Sequence, residues 1–246
     1  MRRELLGFGV GGEGQLGVRP PSYNDSGNFH TPEHIFGVPC SESGVTVSAI
    51  ACGEKHTVFL ADDGRIWTVG GNEMGQLGRG NVSPGSFSIF PVVISNSVRI
   101  IQISAGRNDS CAVSDDGRLF AWGDNSSGQL ALPPNLPVQS SPKRIAQLNE
   151  VVQVSCGSES TIALLDNSRV FVWGLQYDGA VFHEPREVSL LIGVPIVTVS
   201  GGGRHWMALS LPVAQSLLGD RTNSDNLALE MTSIMKSRCC WREFRI

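Results

Sequence analysis

Several groups of residues have the types and spacing of chemical sites, and each has to be weighed against the elements that would hold it. His30-Thr31-Pro32-Glu33-His34 reads as HxxEH, a zinc-peptidase spacing that needs both histidines on one face of a continuous helix. Pro32 lies between them in a stretch rich in Ser, Asn and Gly. A proline there removes a helical hydrogen bond and clashes with the preceding turn, so no metal is expected. Gly7-Phe8-Gly9-Val10-Gly11-Gly12 fits GxGxxG, but a dinucleotide site needs a strand before it, a helix after it and an acidic residue further on. Only six residues precede it, and no cofactor is expected. The cysteines at 40, 52, 111, 156, 239 and 240 form no CxxC pair. No spacing marks a metal centre or a disulfide framework, and the first four read as small buried apolar residues. No Ser-His-Asp or paired-carboxylate set assembles, so no catalytic residue is expected.

The elements behind these motifs come from internal repetition, which outranks any single motif in deciding a fold. Three stretches align without a gap: CGEKHTVFLADDGRIWTVGGNEMGQLG (52 to 78), AGRNDSCAVSDDGRLFAWGDNSSGQLA (105 to 131) and CGSESTIALLDNSRVFVWGLQYDGAV (156 to 181). Their leading glycines, Gly53, Gly106 and Gly157, are followed in register by Gly202 of VSGGGRHWMALS, while FGVGGEGQLG precedes the first copy. Segments such as HTVFLA and RIWTVG are short β-branched, aromatic and aliphatic runs that suit strands. Asp62-Asp63-Gly64 and Asp115-Asp116-Gly117 join them, and Asp-Gly favours the positive φ of a tight hairpin turn. Asp166-Asn167-Ser168 takes that place in the third copy, where serine predicts a looser turn.

The turns Gly14-Gln15-Leu16-Gly17, Gly75-Gln76-Leu77-Gly78 and Gly128-Gln129-Leu130 place a glutamine whose amide can satisfy backbone groups within a sharp bend. Variable stretches follow at 18–34, 79–91 and 131–142 and read as loops on one face of a sheet array. His56 and His205 share one repeat position with Asp109 and Ser160, which reads as a hydrogen-bonding position between units. Trp122 and Trp173 align with Val69 and Phe8, so the two tryptophans are expected to face the core and not to form a ligand cage. A unit of about 50 residues with four strands cannot bury both sheet faces alone and must pack on its neighbours.

The Ala/Cys-Gly start, the polar residue three later, the Asp-Gly turn, Trp-Gly-x-Asn and Gly-Gln-Leu-Gly together resemble the repeat of the regulator of chromosome condensation family over about residues 5 to 210. The resemblance implies an all-β fold, a partial and incomplete β-propeller of about four blades, since the family usually closes seven and these need roughly 350 residues. The expected division is a half repeat over 5–17, full repeats over about 45–97, 98–150 and 151–195, a half repeat over 196–210, and a non-repeat tail over 211–246 with a helix over about 225–236. Unpaired blade edges invite self-association or a partner chain. The chain is then a fragment, a short isoform, or one completed by a partner or a second copy.

Composition agrees with a folded body of turns. Of 246 residues 29 are glycine, against about 17 at a background near 7%. Net charge is -4, and with 14 basic against 19 acidic residues in 1–210 direct nucleic-acid binding is disfavoured. The start lacks signal-peptide character and no run of 18 apolar residues occurs, which predicts cytoplasm or nucleus and no transmembrane segment. What the resemblance implies is a non-catalytic protein-protein interaction module. Alternatives are a guanine-nucleotide exchange factor for a small GTPase, and the targeting fragment of a larger ubiquitin-ligase or signalling protein. No residue pattern matches an exchange wedge, so no partner-binding residue is assigned.

Overall fold

A computed structural model describes residues 4–18, 27–35, 46–94 and 98–211. The expected helix over 225–236, Cys40, Cys239 and Cys240 lie outside the described residues. Three four-stranded antiparallel sheets follow one another in simple meander order. The first holds β3 (Val47–Cys52), β4 (His56–Ala61), β5 (Ile66–Asn72) and β6 (Ser83–Val92). The second holds β7 (Ile100–Ala105), β8 (Asp109–Ser114), β9 (Leu119–Asp124) and β10 (Val138–Arg144), and the third β11 (Val151–Cys156), β12 (Ser160–Leu165), β13 (Val170–Leu175) and β14 (Val181–Glu187). Before them come β1 (Leu6–Val10) and β2 (Asn28–His34), and after them β15 (Ile196–Gly201) and β16 (Trp206–Ser210). Each of these pairs is its own two-stranded sheet. The described body is therefore a partial β-propeller of three full blades and two half-blades.

Each blade is a hairpin extended on both sides. At the tip of the β8–β9 hairpin Gly117 sits at φ 76° and donates its N–H to the Ser114 carbonyl at 3.0 Å, the left-handed geometry that an L side chain resists. The third blade departs from the expectation of a looser turn. Ser168 adopts φ 66° and donates to Leu165 O at 3.1 Å, so the same tight turn forms without glycine. Its hydroxyl donates to Ile196 O at 3.1 Å, a bond to the next sheet that offsets backbone strain. In the Trp-Gly pair, Gly123 at φ 110° lies within the β9–β10 pairing where the register shifts, the behaviour of a β-bulge.

The variable stretches read as loops carry part of the fold: the fourth strands β6 and β10, and β2, begin inside them. Pattern reading missed these strands because they are edge strands with polar, proline-containing sequences such as SPGSFSIFPV and VQSSPKR, tolerated only where one side needs no ladder donor. The core lies between blades. Every residue of β4, β8 and β12 is buried, and a cluster of Val113, Leu119, Leu130, Ile145, Val151, Val154 and Trp173 joins the second blade to the third. Trp122 and Trp173 are fully buried, and each tryptophan contributes about 5 kcal/mol if about 200 Å² is removed from water. Phe8, at the same repeat position, is 67% exposed, because β1 belongs to a half-blade.

Candidate functional site

Two structural zones gather the repeat positions singled out in the sequence. The first fastens blade to blade. The Gln15, Gln76 and Gln129 side-chain oxygens accept the backbone N–H of Glu13 (3.0 Å), Met74 (2.8 Å) and Ser127 (2.9 Å). Their own main-chain carbonyls reach into the next blade. Gln15 O accepts from Thr57 Oγ1 at 2.7 Å. Gln76 O accepts from Ser110 Oγ at 3.1 Å and Trp122 Nε1 at 2.9 Å. Gln129 O accepts from Thr161 Oγ1 at 2.9 Å and Trp173 Nε1 at 2.8 Å. Gly14, Gly75 and Gly128 let these turns back onto Ser86, Ser140 and His183, while Gly17 packs by Ile89 and Gly78 by the Trp122 ring. Gly64 O and Gly117 O accept from Ile100 N at 3.2 Å and Val151 N at 3.0 Å of the following blade. The asparagine of Trp-Gly-x-Asn belongs here too: Asn125 Oδ1 accepts from Leu130 N at 3.1 Å while its Nδ2 donates to Leu136 O at 2.9 Å.

The second zone is a basin of about 560 Å³ where the first strands of successive blades end. Gly53, Gly106, Gly157 and Gly202 line it, with Glu54, Arg107, Glu159 and Arg204 beside them. These four side chains alternate in sign around the rim. Arg107 Nε donates to Glu54 Oε2 at 2.7 Å, Arg107 Nη1 lies 3.6 Å from Glu159, and Arg204 Nη2 lies 3.8 Å from Glu159. Exposed pairs of this kind contribute about 0–1 kcal/mol each, so their value lies in the charge pattern that they display. Cys52 also lines the basin and is exposed. This corrects its reading as a buried residue: it ends β3, the inner edge strand.

Beneath the basin lies the recurring polar position. His56 Nε2 is 2.8 Å from Ser110 Oγ, a contact between the first and second blades. Burial pushes this histidine down to about 4, against the opposing effect of the Asp109 backbone, so it is neutral. Asp109 is wholly buried, and neither carboxylate oxygen has a hydrogen-bond partner among the described residues. Burial first, and then the neighbouring Cys156, holds its carboxyl well above the usual range. Ser160 is buried at the third junction, whereas His205 is exposed and does not bridge blades. The HxxEH residues lie on β2, an extended strand, with His34 Nδ1 4.0 Å from Glu4. The GxGxxG segment is β1 and the turn after it.

Comparison with known proteins places this geometry. Profiles of the regulator of chromosome condensation (RCC1) repeat match residues 4–60, 63–113 and 116–164, and a second profile of the repeat matches 47–76, 100–129 and 151–180. The chain is 35% identical over 178 residues to the probable E3 ubiquitin-protein ligase HERC6 of Homo sapiens, covering 68% of this chain and 17% of that protein. It is 35% identical over 180 residues to the ultraviolet-B receptor UVR8 of Arabidopsis thaliana, covering 72% and 38%, and 32% identical over 220 residues to the human X-linked retinitis pigmentosa GTPase regulator, covering 65% and 21%. The chain thus spans a minor part of these relatives. Among solved structures, human WBSCR16 superimposes with a TM-score of 0.71 at 25% identity over 82% of this chain and 54% of that one. Prp20p of Saccharomyces cerevisiae, described with its binding to Gsp1p and histones, superimposes with a TM-score of 0.72 at 20% identity over 94% and 55%.

Proposed function

Because the chain belongs to the regulator of chromosome condensation repeat family, we propose that it works as a non-catalytic protein-protein interaction module whose docking surface is the rim of the inner basin. The observation that carries this reading is the convergence of equivalent loops from successive blades on one place, with Glu54, Arg107, Glu159 and Arg204 alternating in sign. The interior polar groups of the repeat hold the blades together, while the rim side chains face the basin opening. An alternating charge pattern on a rigid support fixes orientation and rejects mismatched partners more than it raises affinity.

The test is quantitative affinity capture with the wild-type chain and the Arg107→Glu/Arg204→Glu double variant, with circular dichroism to verify that both are folded. Reversing two rim charges should cut recovery of specific partners at least tenfold, equivalent to about 1.4 kcal/mol. Equal recovery by both proteins, or capture of chaperones alone, removes the proposal.

A second reading is guanine-nucleotide exchange toward a small GTPase, supported by the relative named as a GTPase regulator and by the fold shared with Prp20p. Exchange needs no side-chain chemistry; it requires preferential binding of the nucleotide-free state. Release of a fluorescent guanine nucleotide from a GTPase panel should accelerate with added protein, and an unchanged release rate at micromolar protein ends this reading. The similarity to HERC6 also supports use as the targeting portion of a larger ligase, for which a longer transcript of the same locus is the check.

A further inference from the structure

The junction between the second and third blades differs from its neighbours in chemistry. Strand periodicity sets Asp109 and Cys111, two apart on β8, on one face. Cys156, the last residue of β11, meets them from the next blade. The Asp109 carboxylate oxygen and the two sulfurs all lie within 4.8 Å of one another, and all three residues are buried. The same three positions at the preceding junction are His56, Val58 and Ala105, and at the following one Ser160, Ile162 and Gly201. Those sets offer at most one ligating group, whereas here every position offers one.

The Cys156 thiol is the polar side chain that interacts with this carboxylate. Both Asp109 oxygens are buried without a geometrically formed hydrogen bond among the described residues, an arrangement that is unfavourable unless something compensates the polar group. His56, at the equivalent place, has one ring nitrogen paired, Nε2 with Ser110 Oγ at 2.8 Å, and only Nδ1 left buried without a partner among the described residues. A route in exists as well, since Cys156 forms part of the basin floor.

We propose that Asp109, Cys111 and Cys156 form a binding site for a thiophilic divalent cation of the zinc class. Two thiolates and one carboxylate oxygen match the ligand preferences of Zn2+ and disfavour Mg2+ or Ca2+, which take oxygen ligands. Binding releases the two thiol protons, and any proton held by the Asp109 carboxyl, to solvent as the sulfur and carboxylate lone pairs coordinate the ion. Three protein ligands leave one position of a tetrahedral ion for water. The ion ties the second strand of one blade to the first strand of the next, so occupancy stiffens the junction beneath the proposed docking rim. Sequence spacing concealed the set, because Cys111 and Cys156 are 45 residues apart and only the repeat register brings them together.

The test is titration of the full chain, stripped with a chelator and fully reduced, with Zn2+ in competition with a chromophoric chelator. Co2+ supplies a second, spectroscopic readout. The expected result is one equivalent per chain with sub-micromolar affinity, together with a thiolate-to-cobalt charge-transfer band. Variants should use residues that the other repeats already carry: Asp109→Ser, Cys111→Val and Cys156→Ala. Each should stay folded by circular dichroism and lose at least about 100-fold in affinity, more than the loss of an outer-shell partner. Cys52→Ser and Cys239→Ser/Cys240→Ser should bind as the wild type does. Absence of binding with six titratable thiols, affinity unchanged in the three site variants, or a Cys111–Cys156 disulfide in protein purified without reductant each overturn the proposal.

Discussion

Gly117 shows how a single residue sets the spacing between blades. Its φ of 76° excludes ordinary L side chains, and a Cβ there would lie 2.8 Å from the Glu150 Cα, so the neighbouring backbone would have to move. Gly117→Ala should destabilise the protein by at least about 1–2 kcal/mol, seen as a lower urea midpoint at unchanged m. Ser168→Gly should change stability by less than about 1 kcal/mol, because relief of its φ of 66° is offset by loss of the bond to Ile196 O. In the same turn as Gly117, the Arg118 guanidinium and then the Ser114 hydroxyl hold Asp116 down to about 2. A depressed carboxylate contributes stability that is present above its unfolded value, near 3.8, and is lost as pH falls through its folded value. The Asp116 carboxyl carbon should therefore titrate near 2 by NMR and shift upward in Arg118→Gln. A midpoint of 4 in the wild type would show that the pair does not form in solution.

At the scale of the element, the glutamine turn acts on the blade that follows it. The Gln129 carbonyl accepts from both Thr161 and Trp173, so either donor alone leaves it partly satisfied and loss of both leaves a buried acceptor unpaired. A double-mutant cycle with Thr161→Val and Trp173→Phe should give a loss larger than the sum of the singles by about 1 kcal/mol. Additive losses would mean that water reaches the carbonyl. The repeat also explains which element readings failed. Apolar content marks strands that are buried throughout, such as β4, but the outer strand β10 is held by backbone pairing to β9 and has no apolar pattern to read, and in β6 the Phe87–Ile89 alternation comes only after a Ser-Pro-Gly start. Phe8 and His205 carry core-type or bridging residue types by register, yet each lies in a half-blade and is exposed.

For the molecule as a whole, stability should be distributed as in a linear array, each blade contributing its own folding and an interface with its neighbours. β8 is buried throughout, whereas four of five residues are exposed in both β1 and β16. Backbone amides of β8 and β12 should then exchange at least about tenfold more slowly than those of β1 and β16, because local opening is easiest where little apolar area is covered. Uniform protection across all five sheets would contradict this and point to paired half-blade edges, which the mass in solution from light scattering would identify as self-association.

The amino-acid sequence alone determined the all-β class, the repeat and its register, and the family resemblance. Strand patterning, Asp-Gly turns and recurring glycines are local signals, and three copies of them agree. Only the tertiary structure decided that Ser168 closes the same turn as glycine, that Cys52, unlike Cys111 and Cys156, departs from the burial read for it, and that Asp109 meets both of those buried cysteines. The physical reason is that burial and side-chain proximity in this fold arise between blades. Residues about 50 apart in the chain become neighbours there, and each side chain's surroundings depend on whether a following blade covers it.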